Sequence, residues 1–168
     1  MLMYLDPSMK EILDDFVLEC DSQVKVIEDI LFELEDDLTN NALFEKFGQV
    51  IDRMMGAAKS LEISEVAVLC ELGKTLGYKS SQIQDEKLRS IVVAVMFDAI
   101  DLLRILNQKL KHSDELKISE ISTEAFVNRM RWLGDKFANI NRSSVVIGNT
   151  DNIMEQNDIN DLLKQLGM

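Results

Sequence analysis

Aromatic residues make up only 6 % of this 168-residue chain, and it contains one proline and seven glycines. An all-β domain draws on aromatics, β-branched residues and turn glycines, so this scarcity points away from sheets and towards helices. Basic residues are also in the minority. The sequence holds 18 Lys and Arg against 30 Asp and Glu, a formal net charge of -12. Nucleic-acid phosphates and anionic membrane surfaces both demand a positive footprint, so neither is expected as the main partner. No apolar run approaches the length of a membrane span, and the N-terminus lacks a basic stretch followed by an apolar one. These absences predict a soluble, cytoplasmic protein.

The single histidine, His112, sits in the polar stretch Lys111-His112-Ser113-Asp114 near a helix end, which suits a solvated surface role. Histidine metal ligands come in clusters, and no metal site is expected. Phosphoryl transfer on His112 is a weaker alternative, because nothing around it resembles a glycine-flanked exposed stripe. Cys20 and Cys70 lie far apart, without metal-ligand spacing. Each falls within an apolar helical pattern, so buried free thiols are expected.

What is present is helical periodicity. Hydrophobic residues make up 46 % of the chain, enough for a core. Asp6-Pro7 suits a helix start. Apolar residues then recur at Leu13, Phe16, Val17, Cys20, Val24, Ile27, Leu31 and Leu34. Thr39-Asn40-Asn41 breaks the pattern. A second helix carries Phe44, Phe47, Ile51, Met54, Ala58 and Leu61 on one face. Ser64 can cap a shorter third helix that Gly77 can close, and Lys79 to Gln84 then reads as a polar separator. A long stripe from Leu88 to Leu110 marks a fourth helix, and Ser122-Thr123 opens a fifth. The pattern predicts an all-α protein: an antiparallel bundle of about five helices over residues 6–140. Residues 141–152, rich in Asn, Ser, Gly and Thr, read as a flexible linker, within which Val145-Val146-Ile147 is too short to build a sheet. Residues 153–168 form a detached C-terminal amphipathic helix. Such a helix suits a peptide ligand for another protein, or it folds back on its own bundle.

The second helix has an unusual outward face. Glu45, Gln49, Asp52 and Gly56 gather opposite Ile51, flanked by Lys46, Arg53 and Lys59. A plain solvated face would look similar. Two details suggest more. Gly56 costs about 1 kcal/mol relative to Ala in an exposed helix interior, and it permits a partner's close approach. Gln49 lies one turn from both Glu45 and Asp52, and an amide beside carboxylates can orient a water.

Two resemblances attach to these residues. The succession of helices over most of residues 8–140 resembles a histidine-phosphotransfer (Hpt) domain of the kind that begins CheA-type chemotaxis kinases. Gln49-Val50-Ile51-Asp52-Arg53-Met54-Met55-Gly56-Ala57-Ala58 occupies the place of that family's second helix, with its His-x-x-Lys-Gly motif. Asp52 stands at the histidine position, Met55 at the lysine, and only Gly56 matches. Phosphoryl carriage at that position is thereby excluded. The C-terminal stretch Asn157-Asp158-Ile159-Asn160-Asp161-Leu162-Leu163-Lys164-Gln165-Leu166-Gly167-Met168 is similar to the terminal CheY-binding peptide of CheZ-type phosphatases. Gly48-Gln49-Val50-Ile51-Asp52-Arg53-Met54-Met55 also looks like that family around its catalytic glutamine. There, CheZ has an Asp four residues before the Gln; this chain has Glu45.

The resemblances imply a chemotaxis protein that binds a CheY-type response regulator and hydrolyses its aspartyl phosphate. Gln49 would orient the water and Glu45 would pair with a receiver lysine. Asp52, Arg53 and Gly56 would lie on the docking face. Ile159, Asp161, Leu162, Leu163, Leu166, Gly167 and Met168 would form the tether. No cofactor of its own is implied, since the Mg²⁺ would belong to the receiver. The alternative is a non-catalytic pseudo-Hpt adaptor that docks a response regulator or a chemotaxis kinase.

Overall fold

The computed structural model describes residues 1–143 and 156–168, with side chains placed for 1–139 and 159–168. Among the described residues there are six α-helices and no strand: α1 Lys10–Asp36, α2 Asn41–Ser60, α3 Ser64–Gln82, α4 Glu86–Lys111, α5 Glu124–Ser143 and α6 Gln156–Gln165. Asp6 accepts from the Ser8 amide at 2.8 Å, capping a 3₁₀ turn at Pro7–Met9 that runs straight into α1. A second 3₁₀ turn precedes it and buries Tyr4, whose hydroxyl accepts from the Leu116 amide at 3.2 Å. Asn40 caps α2 through Leu43, and Asp85 caps α4 through the Leu88 amide at 3.1 Å.

The third helix departs from expectation at both ends. Ile63 is its N-cap and makes no side-chain cap hydrogen bond; Ser64 is already helical. The helix does not stop at Gly77 but continues to Gln82. Lys79 and Ser80, expected in a polar separator, are buried within it. Packing explains this. Helix α3 touches α2, α4 and α6, so neighbours cover most of its circumference and, past its first turn, leave only a narrow strip at Lys74, Tyr78 and Gln82 exposed. A helix so enclosed loses the simple amphipathic stripe that sequence periodicity relies on.

Two rings of four helices share the pair α3 and α4. One ring is α1–α2–α3–α4 and the other is α3–α4–α5–α6. The pair α1 and α4 runs antiparallel. Asn107 Nδ2 donates to Val17 O at 3.0 Å and to Asp21 Oδ1 at 2.7 Å, Arg104 pairs with Glu28 at 2.7 Å, and Phe97 meets Phe32 at 5.3 Å. The C-terminal helix is therefore not detached. It closes the second ring, with Ile159, Leu162, Leu163 and Leu166 all buried. A bundle of about five helices with a free sixth becomes a body of six packed helices. Helix α5 also continues through Ser143, three residues into the stretch read as linker. The remainder of that stretch, including Val145-Val146-Ile147, lies outside the described residues.

Arg89 fixes where α2 begins. It is 4 % exposed, yet its guanidinium meets oxygen from three directions. Nε donates to Ile83 O at 2.8 Å, Nη1 to Leu38 O at 2.8 Å and Nη2 to Asn41 Oδ1 at 2.7 Å. The group also lies 5.3 Å from the Phe44 ring centre. Two interhelix connections and the first turn of α2 are thereby tied to α4.

Candidate functional site

The outward stripe of α2 does not face open solvent alone. It borders α3, and between the two helices runs an open groove of ≈ 360 Å³. Glu45, Gly48, Gln49 and Asp52 form one wall; Lys74, Tyr78 and Ser81 form the other. Glu45, Gln49 and Asp52 are exposed, as the helical count places them. Across the groove, Lys74 Nζ meets Asp52 Oδ1 at 2.6 Å. Both side chains are about half exposed, so this surface pair adds little stability. Its consequence is positional: a cation stands beside Asp52, three residues from Gln49.

Two glycines bring α3 this close. A Cβ on Gly77 would lie 3.2 Å from Phe47 Cδ1 and 3.5 Å from the Phe44 carbonyl oxygen. A Cβ on Gly73 would touch Ile51 and Phe47 at ordinary contact distances of 3.6–3.8 Å. With hydrogen at both positions the α3 backbone rests on the Phe47 and Ile51 side chains. Lys74 and Tyr78, each one residue further along, are thereby carried to the edge of the α2 stripe. Gly48 has open space where its Cβ would be, so the groove stays unobstructed next to Gln49.

The other expected docking residues divide. Arg53 and Gly56 are exposed on α2 but do not line the groove. A Cβ on Gly56 would meet nothing within 4 Å, so no intramolecular contact requires glycine there. Sequence reasoning missed Lys74, Tyr78 and Ser81. The available signal was Gly73-x-x-x-Gly77, a spacing that puts two small residues on one helix face.

In the tail, Asp161 is exposed and lies 3.9 Å from Lys164 within the same helix. Gly167 has a positive φ of 76°. The Met168 amide donates to Leu163 O at 3.0 Å and the Gly167 amide to Lys164 O at 2.9 Å. These are the paired bonds of a Schellman helix stop, with Met168 partly buried beyond it. The terminal Leu-Gly-apolar pattern thus has a local cause: it ends α6.

Elsewhere, His112 is the exposed C-cap of α4. Both cysteines are buried free thiols; burial pushes Cys20 up to about 12 and raises Cys70 further above its ordinary value. Among the described residues no group of three or more His, Cys, Asp or Glu side chains is arranged to hold a metal ion, and no helix is long and apolar enough to cross a membrane. No protein-family model matches this chain, and neither a curated protein nor a solved structure matches it.

Proposed function

We propose that the α2–α3 groove docks a CheY-type receiver domain and that Gln49 promotes hydrolysis of its aspartyl phosphate. The observation that carries this reading is the exposed pair Glu45 and Gln49, one turn apart on α2, in the same groove as the Lys74–Asp52 pair. The Gln49 amide can donate to one oxygen and accept from a water, which holds that water in line with the phosphorus. Such catalysis is a positioning effect and asks for no covalent chemistry from this chain. Glu45, exposed one turn before Gln49, would pair with a receiver lysine and fix the approach. A phosphoryl group arriving at a helix that bears Glu45 and Asp52 meets repulsion. Lys74 offsets it by neutralising Asp52 beside the water-positioning amide. The Mg²⁺ that accompanies the phosphate belongs to the receiver.

The bundle's relation to Hpt domains belongs to the same proposal. With Asp52 at the histidine position, paired to Lys74, the face retains a place for a receiver and has no phosphorylatable histidine. The tail supplies the tether, and tethering of this kind raises a partner's local concentration to roughly millimolar, so a weak groove contact suffices.

The test is the decay of a phosphorylated CheY-type receiver with and without this protein. Wild-type protein should accelerate decay, and Gln49→Ala should lower that acceleration by roughly 10²-fold. Gln49 is exposed, so the substitution leaves the fold intact. Unchanged decay with wild-type protein overturns the phosphatase reading. Unchanged decay with retained receiver binding leaves the non-catalytic adaptor in its place.

A further inference from the structure

The tail has one apolar side and two uses for it. Ile159, Leu162, Leu163 and Leu166 are the residues a receiver would capture, and in this structure all four are buried where α6 lies against α3 and α5. One set of side chains cannot be buried in two grooves at once. We infer that the α3–α5 groove is a binding site for this chain's own α6, and that it competes with the receiver for the tail. The inference rests on the proposed tail–receiver interaction and adds an internal competitor to it.

Three observations make α6 exchangeable rather than a fixed part of the core. The helix has ten residues, too few to persist in water without a surface to lie on. Its opposite side is solvent-exposed at Asp161 and Lys164. Twelve residues separate it from the end of α5, between Ser143 and Gln156, so it can leave without moving α5. Burial of four aliphatic side chains is set against the ordering of the whole helix, and the two are of similar size. The net free energy of docking is therefore small beside that of the whole bundle, which places α6 among the segments that can open locally while the bundle stays folded. A receiver then meets only the released fraction, and its apparent affinity for the tail falls by that fraction.

The receiver's access is thus set inside the molecule. Anything that loosens α6 from α3 and α5 raises tethering without altering the tail's own contacts. Val127 of α5, which lines the same surface as Met168, is the point at which one substitution reaches the docked end of the tail.

The experiment follows receiver binding by stopped flow, with receiver in excess, for the full chain and for a free peptide of residues 153–168. The peptide's rate should rise linearly with receiver concentration. The full chain's rate should rise with a slope about fivefold lower or more, or level off at the opening rate of α6. Full-chain Val127→Asp, which sets a charge under the end of the tail, should recover at least half of the difference. Amide exchange on the wild-type chain gives a second measurement that needs no variant: α6 amides should be protected in the free protein and exchange well before those of α4. Equal slopes for peptide and full chain overturn the internal competition while the tether survives. A peptide that does not bind the receiver overturns the tail–receiver reading itself, and the inference with it.

Discussion

Gln49 and Cys20 show how differently single residues act in this fold. Gln49 is free at the surface, and its expected effect is on a reaction alone. Cys20 is buried on α1, and its expected effect is on stability and pH. Burial holds its folded-state pKa at about 12, against an ordinary value near 9. The unfolded thiol therefore loses its proton first as pH rises. Stability from this group is fully present below pH 9 and is lost as pH climbs towards 12. At pH 10 the loss is about 1 kcal/mol for Cys20, and the buried Cys70 acts in the same direction. Urea unfolding at pH 8 and pH 10 should show the drop, and Cys20→Ala should shrink the difference between the two even though it lowers stability at both. Arg89 belongs to the same scale. It is a buried cation that donates to two backbone carbonyls and the Asn41 side-chain oxygen, holding two loops, and no periodicity in the sequence singled it out.

Among the helices, the contact of α2 with α3 decides the shape of the site, and three glycines on these two helices test it separately. Every Gly→Ala change in a helix interior gains about 1 kcal/mol of helix propensity. At Gly77 the new methyl would press on Phe47 at 3.2 Å, with the Phe44 carbonyl close behind. Phe47 is fully buried in the core, so overpacking at about 1–3 kcal/mol is expected to outweigh the propensity gain and Gly77→Ala to destabilise. At Gly73 the methyl would sit at ordinary contact distance, so Gly73→Ala stabilises by up to about 1 kcal/mol. Gly56→Ala meets open space and stabilises by a similar amount. If the α2 face docks a receiver, that same methyl weakens receiver binding while raising the denaturation midpoint. Chemical denaturation and a binding titration on the three variants separate these outcomes; a Gly56→Ala protein that binds as tightly as wild type removes Gly56 from the docking face.

At the scale of the whole molecule, the second four-helix ring is the unexpected feature. Because α6 covers α3 and α5, a chain ending at residue 155 leaves apolar side chains of both helices uncovered. Such a chain should unfold at lower urea than the full protein and bind a hydrophobic dye, whereas a detached tail would leave both properties unchanged. The strongly acidic surface shapes encounters more than fold. The formal net charge of -12 is fixed by composition and is the same whichever helix faces outward.

Much of this was legible in the amino-acid order. Amphipathic periodicity on α1, α2 and α4 located those helices and their buried sides, because each has a solvent face against which the apolar stripe stands out. Asp6-Pro7 marked the first helix start by capping chemistry that acts over two residues, whereas the Asn40 and Asp85 caps emerged only with the structure. The same counting placed Glu45, Gln49 and Asp52 together on an exposed stripe. Local chemistry determined these features by itself. What depends on distant packing was not legible. The length of α3 escaped because neighbours surround it, so Gly77 serves close approach to Phe47 and not termination. Lys74 joined the site only because Gly73 and Gly77 let α3 lie against α2. The tail's apolar side was plain in the sequence, but its occupant was not: an amphipathic helix specifies that it needs a groove, and only the tertiary structure supplied that groove from α3 and α5.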